Sequence, residues 1–398
     1  MSFGCYHATT PMRCLVCCVL VLLSPVRDAS ALNEHRALSQ FGHRVWTRDQ
    51  GLPQDSIRSI AQAADGALWV GTEEGLVRFD GLEFTSFGRA ADGLANATIS
   101  ALLGSRDGAV YVGTHLGLFR YRDRQFHSFS AAGVTGRVGA IVEDRAGVVW
   151  FIEDWQLRAI RGDAVDALGV AHGITADGIR HLRLTTDGQL LVVDTKEKAF
   201  VWRGTRFEPV PPAATTREHS AIGTGTPRAW VWERDRLRGL PSSGTGDAVE
   251  LTIPFPSVRA ALQDRDGGLW IGTGEGLLRS VGATLERVSA PNFSAQSVVW
   301  QLFEDRDGTL WVGTNAGLHE FRDLRVAVFG SSEGFPSDQP TVVHQHVDGA
   351  LWIGFENAGI VRVHDGRRDS ITERDGLPAD KVFSIRSSTR GDVLVATA

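Results

Sequence analysis

The 398-residue chain has only four cysteines, Cys5, Cys14, Cys17 and Cys18, and all lie in its first 18 residues. Everything downstream is thiol-free, which excludes disulfides, cysteine nucleophiles and thiolate metal centres there. Lysine is scarcer still: Lys196, Lys198 and Lys381 are the only ones among 41 basic residues. The net charge is -6 with both signs scattered along the chain. No basic stripe is present to track nucleic acid, and no polybasic patch to hold a membrane surface. A His-Glu-x-x-His pair and a Gly-Lys-Ser/Thr phosphate loop are absent, so these catalytic constellations are missing. Past the N-terminus no apolar run approaches the roughly 20 residues that a membrane helix needs. Helical periodicity over ten or more residues is missing throughout, which argues against helical arrays.

The N-terminus is a separate case. Arg13 precedes an apolar run from Cys14 to Leu23, and Ala29-Ser30-Ala31 supplies a small-x-small site. That pattern reads as a secretory signal peptide over residues 1–31, cleaved after Ala31. The apolar run is too short to span a bilayer. A periplasmic or secreted location follows, and a cysteine-free mature chain suits an oxidising compartment.

What the mature chain has in abundance is one phrase. Asp307-Gly308-Thr309-Leu310-Trp311-Val312-Gly313-Thr314 recurs as Asp65 to Thr72, Asp266 to Thr273, Asp348 to Gly354 and, more weakly, Asp107 to Thr114. The glycine after the aspartate falls at Gly66, Gly108, Gly147, Gly188, Gly267, Gly308, Gly349 and Gly391. One copy, near Ala229-Trp230-Val231-Trp232, has lost its glycine. Nine repeats of about 41 residues therefore fill the chain from about Arg44, a period that means a solenoid or a propeller. Within a repeat, the runs Ser56 to Gln62, Leu68 to Thr72, Leu76 to Phe79 and Glu83 to Phe87 are strand-like, with turns between them. Asp80-Gly81 is a two-residue hairpin signal. Four antiparallel strands in about 40 residues make a β-propeller blade, so the fold class is all-β. Trp69, Tyr111, Trp150, Trp270, Trp311 and Trp352 share one position on the second strand, where a large ring fills the wedge between blades.

These repeats carry a resemblance. Gly51-Leu52-Pro53-Gln54-Asp55-Ser56-Ile57, then Asp65 to Thr72, then Gly75-Leu76-Val77-Arg78-Phe79-Asp80-Gly81 closely resemble the two-component regulator propeller repeat. Gly376-Leu377-Pro378-Ala379-Asp380-Lys381-Val382 repeats the opening. The resemblance covers nearly the whole mature chain, with the third to fifth copies degenerate. It implies the periplasmic sensor of bacterial hybrid histidine kinases and of some diguanylate cyclases. There, two seven-bladed propellers typically precede a β-sandwich, a membrane helix and a cytoplasmic output domain.

Residues Arg44 to Thr47 match a fourth strand with no blade before it. They are expected to complete the blade of Trp311 and so hide its open edge. The domain reading is a seven-bladed propeller over 44–324 and the truncated start of a second over 325–398, about one and a half blades. A single eight- or nine-bladed ring is the alternative, and pairing of Arg44 to Thr47 with residues 361–364 would indicate eight blades.

Ligand contacts are expected on the loops around the channel at one face of the ring, because function concentrates on loops held by a rigid scaffold. The candidates are Gln54 and Asp55 before innermost strands, and Glu73, Glu74, His115, Glu275, Asn315, Glu356 and Asn357 between second and third strands. Asn96, Gln296, Asp338, Gln339 and Asp380 share the first setting. Asp264 and Asp266 lack the further ligands of a calcium loop and read as turn residues. His344 and His346 face one side of a strand without a third ligand, and Trp230 and Trp232 share a face suited to packing between blades. No catalytic residue, cofactor or metal is assigned.

The leading function is an extracytoplasmic ligand-sensing module without its output domain, and not an enzyme. Its ligand would be an extracellular small molecule or oligosaccharide, and its macromolecular partner a membrane receptor or a second copy of the chain. Nucleic acid is excluded. The alternatives are a lyase or hydrolase related to streptogramin lyases, and a secreted protein-binding scaffold.

Overall fold

The computed structural model describes residues 32, 41–88, 93–94, 98–184, 188–196, 198–210, 228–233, 236–241, 249–252, 257–281, 284–288, 293, 297–323, 335–336, 339–364, 367–388 and 390–398. The expected signal peptide and all four cysteines lie outside the described residues, as do Asn96, Gln296 and Asp338.

The described chain is all-β and antiparallel. Nine sheets follow one another, seven of four strands, one of three and one of two. Sheets 1 to 4 span residues 57–87, 99–128, 138–168 and 179–209; sheet 5 spans 228–252 and sheet 6 spans 258–287. Sheet 7 spans 299–323, sheet 8 spans 340–371 and sheet 9 spans 382–397. In sheet 1 the strands are Ile57–Gln62, Leu68–Thr72, Leu76–Phe79 and Phe84–Phe87, within a residue of those expected. Each second strand in sheets 1, 2, 3, 6 and 7 is buried along its whole length. A strand covered on both faces should read as a nearly continuous apolar run, and these do. Outer strands such as Gln125–Ser128 are mostly exposed.

The core is a series of wedges, each shared by two neighbouring sheets. Trp69, Ala61 and Leu76 of sheet 1 pack with Ile99, Val110 and Phe119 of sheet 2. Corresponding clusters join sheets 2 and 3, 3 and 4, and 6 and 7. One more joins Ile57, Val70 and Phe79 of sheet 1 to Trp311 and Leu318 of sheet 7. Trp69, Trp150, Trp270, Trp311 and Tyr111 are all buried. At roughly 25 cal/mol per Å² of apolar surface, each large ring contributes several kcal/mol. Trp352, expected to be core, is only half-buried. It packs against sheet 9, whose two strands offer less cover than the four of other sheets.

The phrase itself is explained by three contacts. Gly66 has φ 88°, a left-handed turn that a side chain would strain. The aspartate six residues before the tryptophan holds the indole: Trp311 Nε1 donates to Asp305 Oδ2 at 2.8 Å. The other oxygen of Asp305 accepts from the backbone N–H groups of Asp307 and Thr309. Asp264 with Trp270 and Asp144 with Trp150 do the same. Thus Asp264 is a turn residue that also anchors the ring. Sheet 1 has Ala63 at this position, and Trp69 Nε1 has no partner among the described residues.

The last glycine of the phrase is a contact point with the next sheet. A Cβ on Gly71 would lie 2.5 Å from Ile99 Cγ2, and one on Gly113 would lie 2.8 Å from Val138 Cγ1. Gly313 of sheet 7 stands in the same relation to Ile57 of sheet 1, at 2.8 Å. The strand Phe41–Trp46 pairs antiparallel with Leu318–Asp323, Phe41 opposite Asp323 and Trp46 opposite Leu318, as the outermost strand of sheet 7. It starts at Phe41, three residues earlier than the Arg44 expected. Phe41 is buried in the cluster between sheets 6 and 7, and this packing extends the pairing.

Candidate functional site

The first strands of adjacent sheets converge and carry a repeated irregularity. In sheet 1, Ile57 pairs with Thr72 and Ser59 with Gly71, leaving Arg58 as an extra residue. This is a β-bulge, which re-aims a side chain. The same shift recurs between Ile99 and Ala101, Val138 and Ala140, Ile179 and His181, Val258 and Ala260, and Val299 and Gln301. The bulged residues are Arg58, Ser100, Gly139, Arg180, Arg259 and Trp300. Around them the frame stays apolar and constant, while this one position changes from sheet to sheet.

Where the bulges of sheets 1, 2 and 7 meet the loops expected around the channel lies a cavity of about 460 Å³. Arg58, Glu73, Thr98, Ile99, Ser100, His115, Arg137 and Trp300 line it, drawn from sheets 1, 2 and 7 and the approach to sheet 3. Its volume falls within the range of small-molecule sites. Arg58 directs Nε at 2.9 Å, and also Nη2, onto Glu73 Oε1. That pairing, with help from Gln54, holds the Glu73 carboxyl below the usual carboxylate range, and the nearby His115 adds to the effect. Gln54 accepts from the Glu73 backbone N–H at 3.3 Å and donates to its Oε2 at 3.4 Å. Thr98 Oγ1 donates to the Glu73 carbonyl at 3.1 Å. The carboxylate is therefore held by Arg58 and Gln54, and the backbone of Glu73 by Gln54 and Thr98.

Trp300 carries cations from both neighbouring sheets. The guanidinium carbons of Arg58 and Arg259 lie 4.1 and 4.3 Å from its ring centroid. Such stacking orients a guanidinium and leaves its edge free to bind. The indole Nε1 is buried without a hydrogen-bond partner among the described residues.

Of the nine loop candidates, the cavity brings together Glu73 and His115. Gln54 braces Glu73 from outside the lining. Asp55 accepts from the Arg48 backbone N–H at 2.8 Å and fixes the turn before the strand. The exposed Glu74 and Glu275 are tied by backbone to Thr72 and Thr273, and Glu275 lies 4.0 Å from Arg287 of its own sheet. Asn315 clasps the Val298 backbone at 2.8 Å. Glu356 pairs with Lys381 at 3.2 Å, and it and the exposed Asn357 belong to sheet 8. His344 and His346 both lie 2.7 Å from Ser387 Oγ, a clasp between sheets 8 and 9. The side chains of Trp230 and Trp232 lie outside the described residues.

Loop-based reading missed Arg58, Ser100, Arg137, Arg259 and Trp300. A signal was present: the residue after each inward β-branched position, Ile57, Ile99, Val138, Ile179, Val258 and Val299, is the variable one. Simple strand alternation hides it, since only a bulge turns that residue to the channel.

No curated protein sequence matches the chain. The two component regulator propeller model matches residues 51–74, 252–275 and 292–316. In structure the chain is similar to the extracellular domain of a protein assigned as a hybrid two-component system from B. thetaiotaomicron. There the TM-score is 0.62 at 17% identity, over 90% of this chain and 52% of that one. A second B. thetaiotaomicron extracellular domain, assigned to a one-component system, gives 0.58 at 19% identity, over 91% of this chain and 52% of that one. Virginiamycin B lyase from Staphylococcus aureus gives 0.55 at 15% identity, over 71% of this chain and 100% of the lyase. At these identities the likeness is one of fold. The chain spans about half the length of the two B. thetaiotaomicron domains. The chain is an all-β propeller of antiparallel sheets, and three of its segments match the two component regulator propeller model.

Proposed function

We propose that this chain is the ligand-sensing propeller module of a bacterial extracytoplasmic receptor, of the two-component or diguanylate cyclase kind. The observation that carries the reading is the cavity at the channel end, where a constant frame presents different side chains from several sheets. The structural neighbours assigned as extracellular domains of signalling systems support it. In this reading residues 1–31 direct export, and the ligand is a small molecule or oligosaccharide. The sheets from residue 41 to 323 form a closed ring of seven blades, since sheet 1 packs on sheet 7 and the strand Phe41–Trp46 completes sheet 7. Sheets 8 and 9 open a second ring. The bound state is passed to a membrane receptor partner or a second copy, and the ligand acts through its differential affinity for two states.

The test is a thermal-shift screen of oligosaccharides against the mature chain and Ser100→Trp, which fills the cavity. A true ligand raises the apparent melting temperature of the parent chain and leaves the variant unmoved. Equal shifts in both proteins would place binding elsewhere.

A second reading, a lyase or hydrolase, rests on His115 and Glu73 facing one cavity. It requires turnover of a substrate that is lost in His115→Ala.

A further inference from the structure

We propose that the channel-end cavity takes an oxyanion, the carboxylate or sulfate group of a small organic ligand. This rests on the sensing reading above and adds the chemical class. Two guanidiniums, from Arg58 and Arg137, line the cavity, and a third, from Arg259, stacks with Arg58 on Trp300, itself a lining residue. Glu73 is the one carboxylate in the lining, and it is already engaged by Arg58. The side chains of Arg137 and Arg259 are exposed, and the nearby Asp154 carboxylate is engaged by the Arg137 backbone N–H at 3.1 Å.

Like charges gathered in a cleft repel one another and raise the local concentration of anions. The bulge position accepts serine in sheet 2, glycine in sheet 3 and tryptophan in sheet 7, so arginine is not needed to build the strand. The stacking of Arg58 and Arg259 on Trp300 restricts both side chains before any ligand arrives. A pre-oriented guanidinium loses less freedom per hydrogen bond formed, and its fork matches the two oxygens of a carboxylate or sulfate. The cavity of about 460 Å³ has room for the anionic group and one or two sugar rings. Glu73 then acts as an internal counter-ion, occupying Arg58 until the ligand's own oxyanion competes for it.

The experiment is isothermal titration calorimetry of the mature chain with digalacturonate, galactose 6-sulfate, neutral galactobiose and inorganic sulfate. The first two and sulfate should bind saturably, more weakly as sodium chloride is raised, and galactobiose should not. The first two probes also show whether carboxylate or sulfate ester is preferred. Arg58→Gln and Arg259→Gln should each weaken binding about tenfold, the loss of one charge-assisted contact. Arg206→Gln, an exposed control in sheet 4, should change nothing. Glu73→Gln should strengthen binding several-fold, an effect that a merely structural carboxylate would not produce. If galactobiose binds as well as its acidic counterpart and with the same sensitivity to the variants, the sensing site stands and the oxyanion class is overturned. If none of the probes binds at millimolar concentration, sulfate included, the oxyanion proposal is overturned, while the sensing reading is decided by its own screen.

Discussion

His43 and His319, 276 positions apart, share a hydrogen bond of 3.1 Å between Nε2 and Nδ1, with their rings stacked at 6°. They join the strand Phe41–Trp46 to the rest of sheet 7. Phe321 stacks on His43 at 4.6 Å, and Phe293 meets His319 edge-on at 4.8 Å. His319 is fully buried. Burial, with a smaller contribution from His43, pushes its pKa down from 6.5 to about 3. Burial lowers His43 as well.

The sign of the pH dependence follows. Both imidazoles resist protonation when folded, so the unfolded chain binds more protons below its ordinary histidine pKa of about 6.5. Their contribution to stability is complete above pH 6.5 and is lost progressively as pH falls toward 3. Each such histidine can add a slope of up to about 1.4 kcal/mol per pH unit. Urea titrations at pH 7.5 and pH 5 should show this fall in the parent chain and a smaller one in His319→Leu. Identical slopes would exclude the pair as the cause.

The Asp–Trp anchors predict opposite effects in two sheets. Asp305→Ala leaves the buried Trp311 Nε1 and two backbone N–H groups without their acceptor. It should cost about 2–4 kcal/mol. Ala63→Asp supplies the anchor that Trp69 lacks and should stabilise by about 1 kcal/mol, a rise of about 2–4 °C in Tm. Scanning calorimetry of the two variants measures both effects.

Gly313→Ala drives a methyl group into Ile57 across the junction of sheets 7 and 1. Overpacking there should cost about 1–3 kcal/mol. Ile57→Ala costs stability by itself through a cavity, yet the double variant should be more stable than the sum of the two losses predicts. Additive losses would mean that the two residues do not touch.

Export is tested at Leu32. It is buried in the cluster between sheets 6 and 7, and its carbonyl accepts from Arg279 Nη2 at 3.4 Å. On the export reading proposed above, removal of residues 1–31 precedes folding, because a protease needs an accessible backbone. Mass spectrometry of the exported protein should find Leu32 first. Purified uncleaved chain, once folded, should resist the signal peptidase.

The sequence by itself determined the repeat, the four-stranded unit and the rings buried in sheets 1, 2, 3, 6 and 7, because these depend on local patterns: a turn, a period of two, and one large side chain in most copies. Repetition amplified each pattern until chance was excluded. It also offered Arg44 to Thr47 as a strand completing the blade of Trp311, with residues 361–364 as the alternative partner, and named Glu73 and His115. The tertiary structure decided which sheet that strand completes, since the pairing joins residues far apart in the chain. It also separated Glu73 and His115 from Asp55, Glu275 and Asn315, whose polar groups are used on their own loops or sheet. Above all, it revealed Arg58, Arg259 and Trp300. Their direction is set by a bulge, and a bulge is a relation between two strands that neither strand's residues express alone.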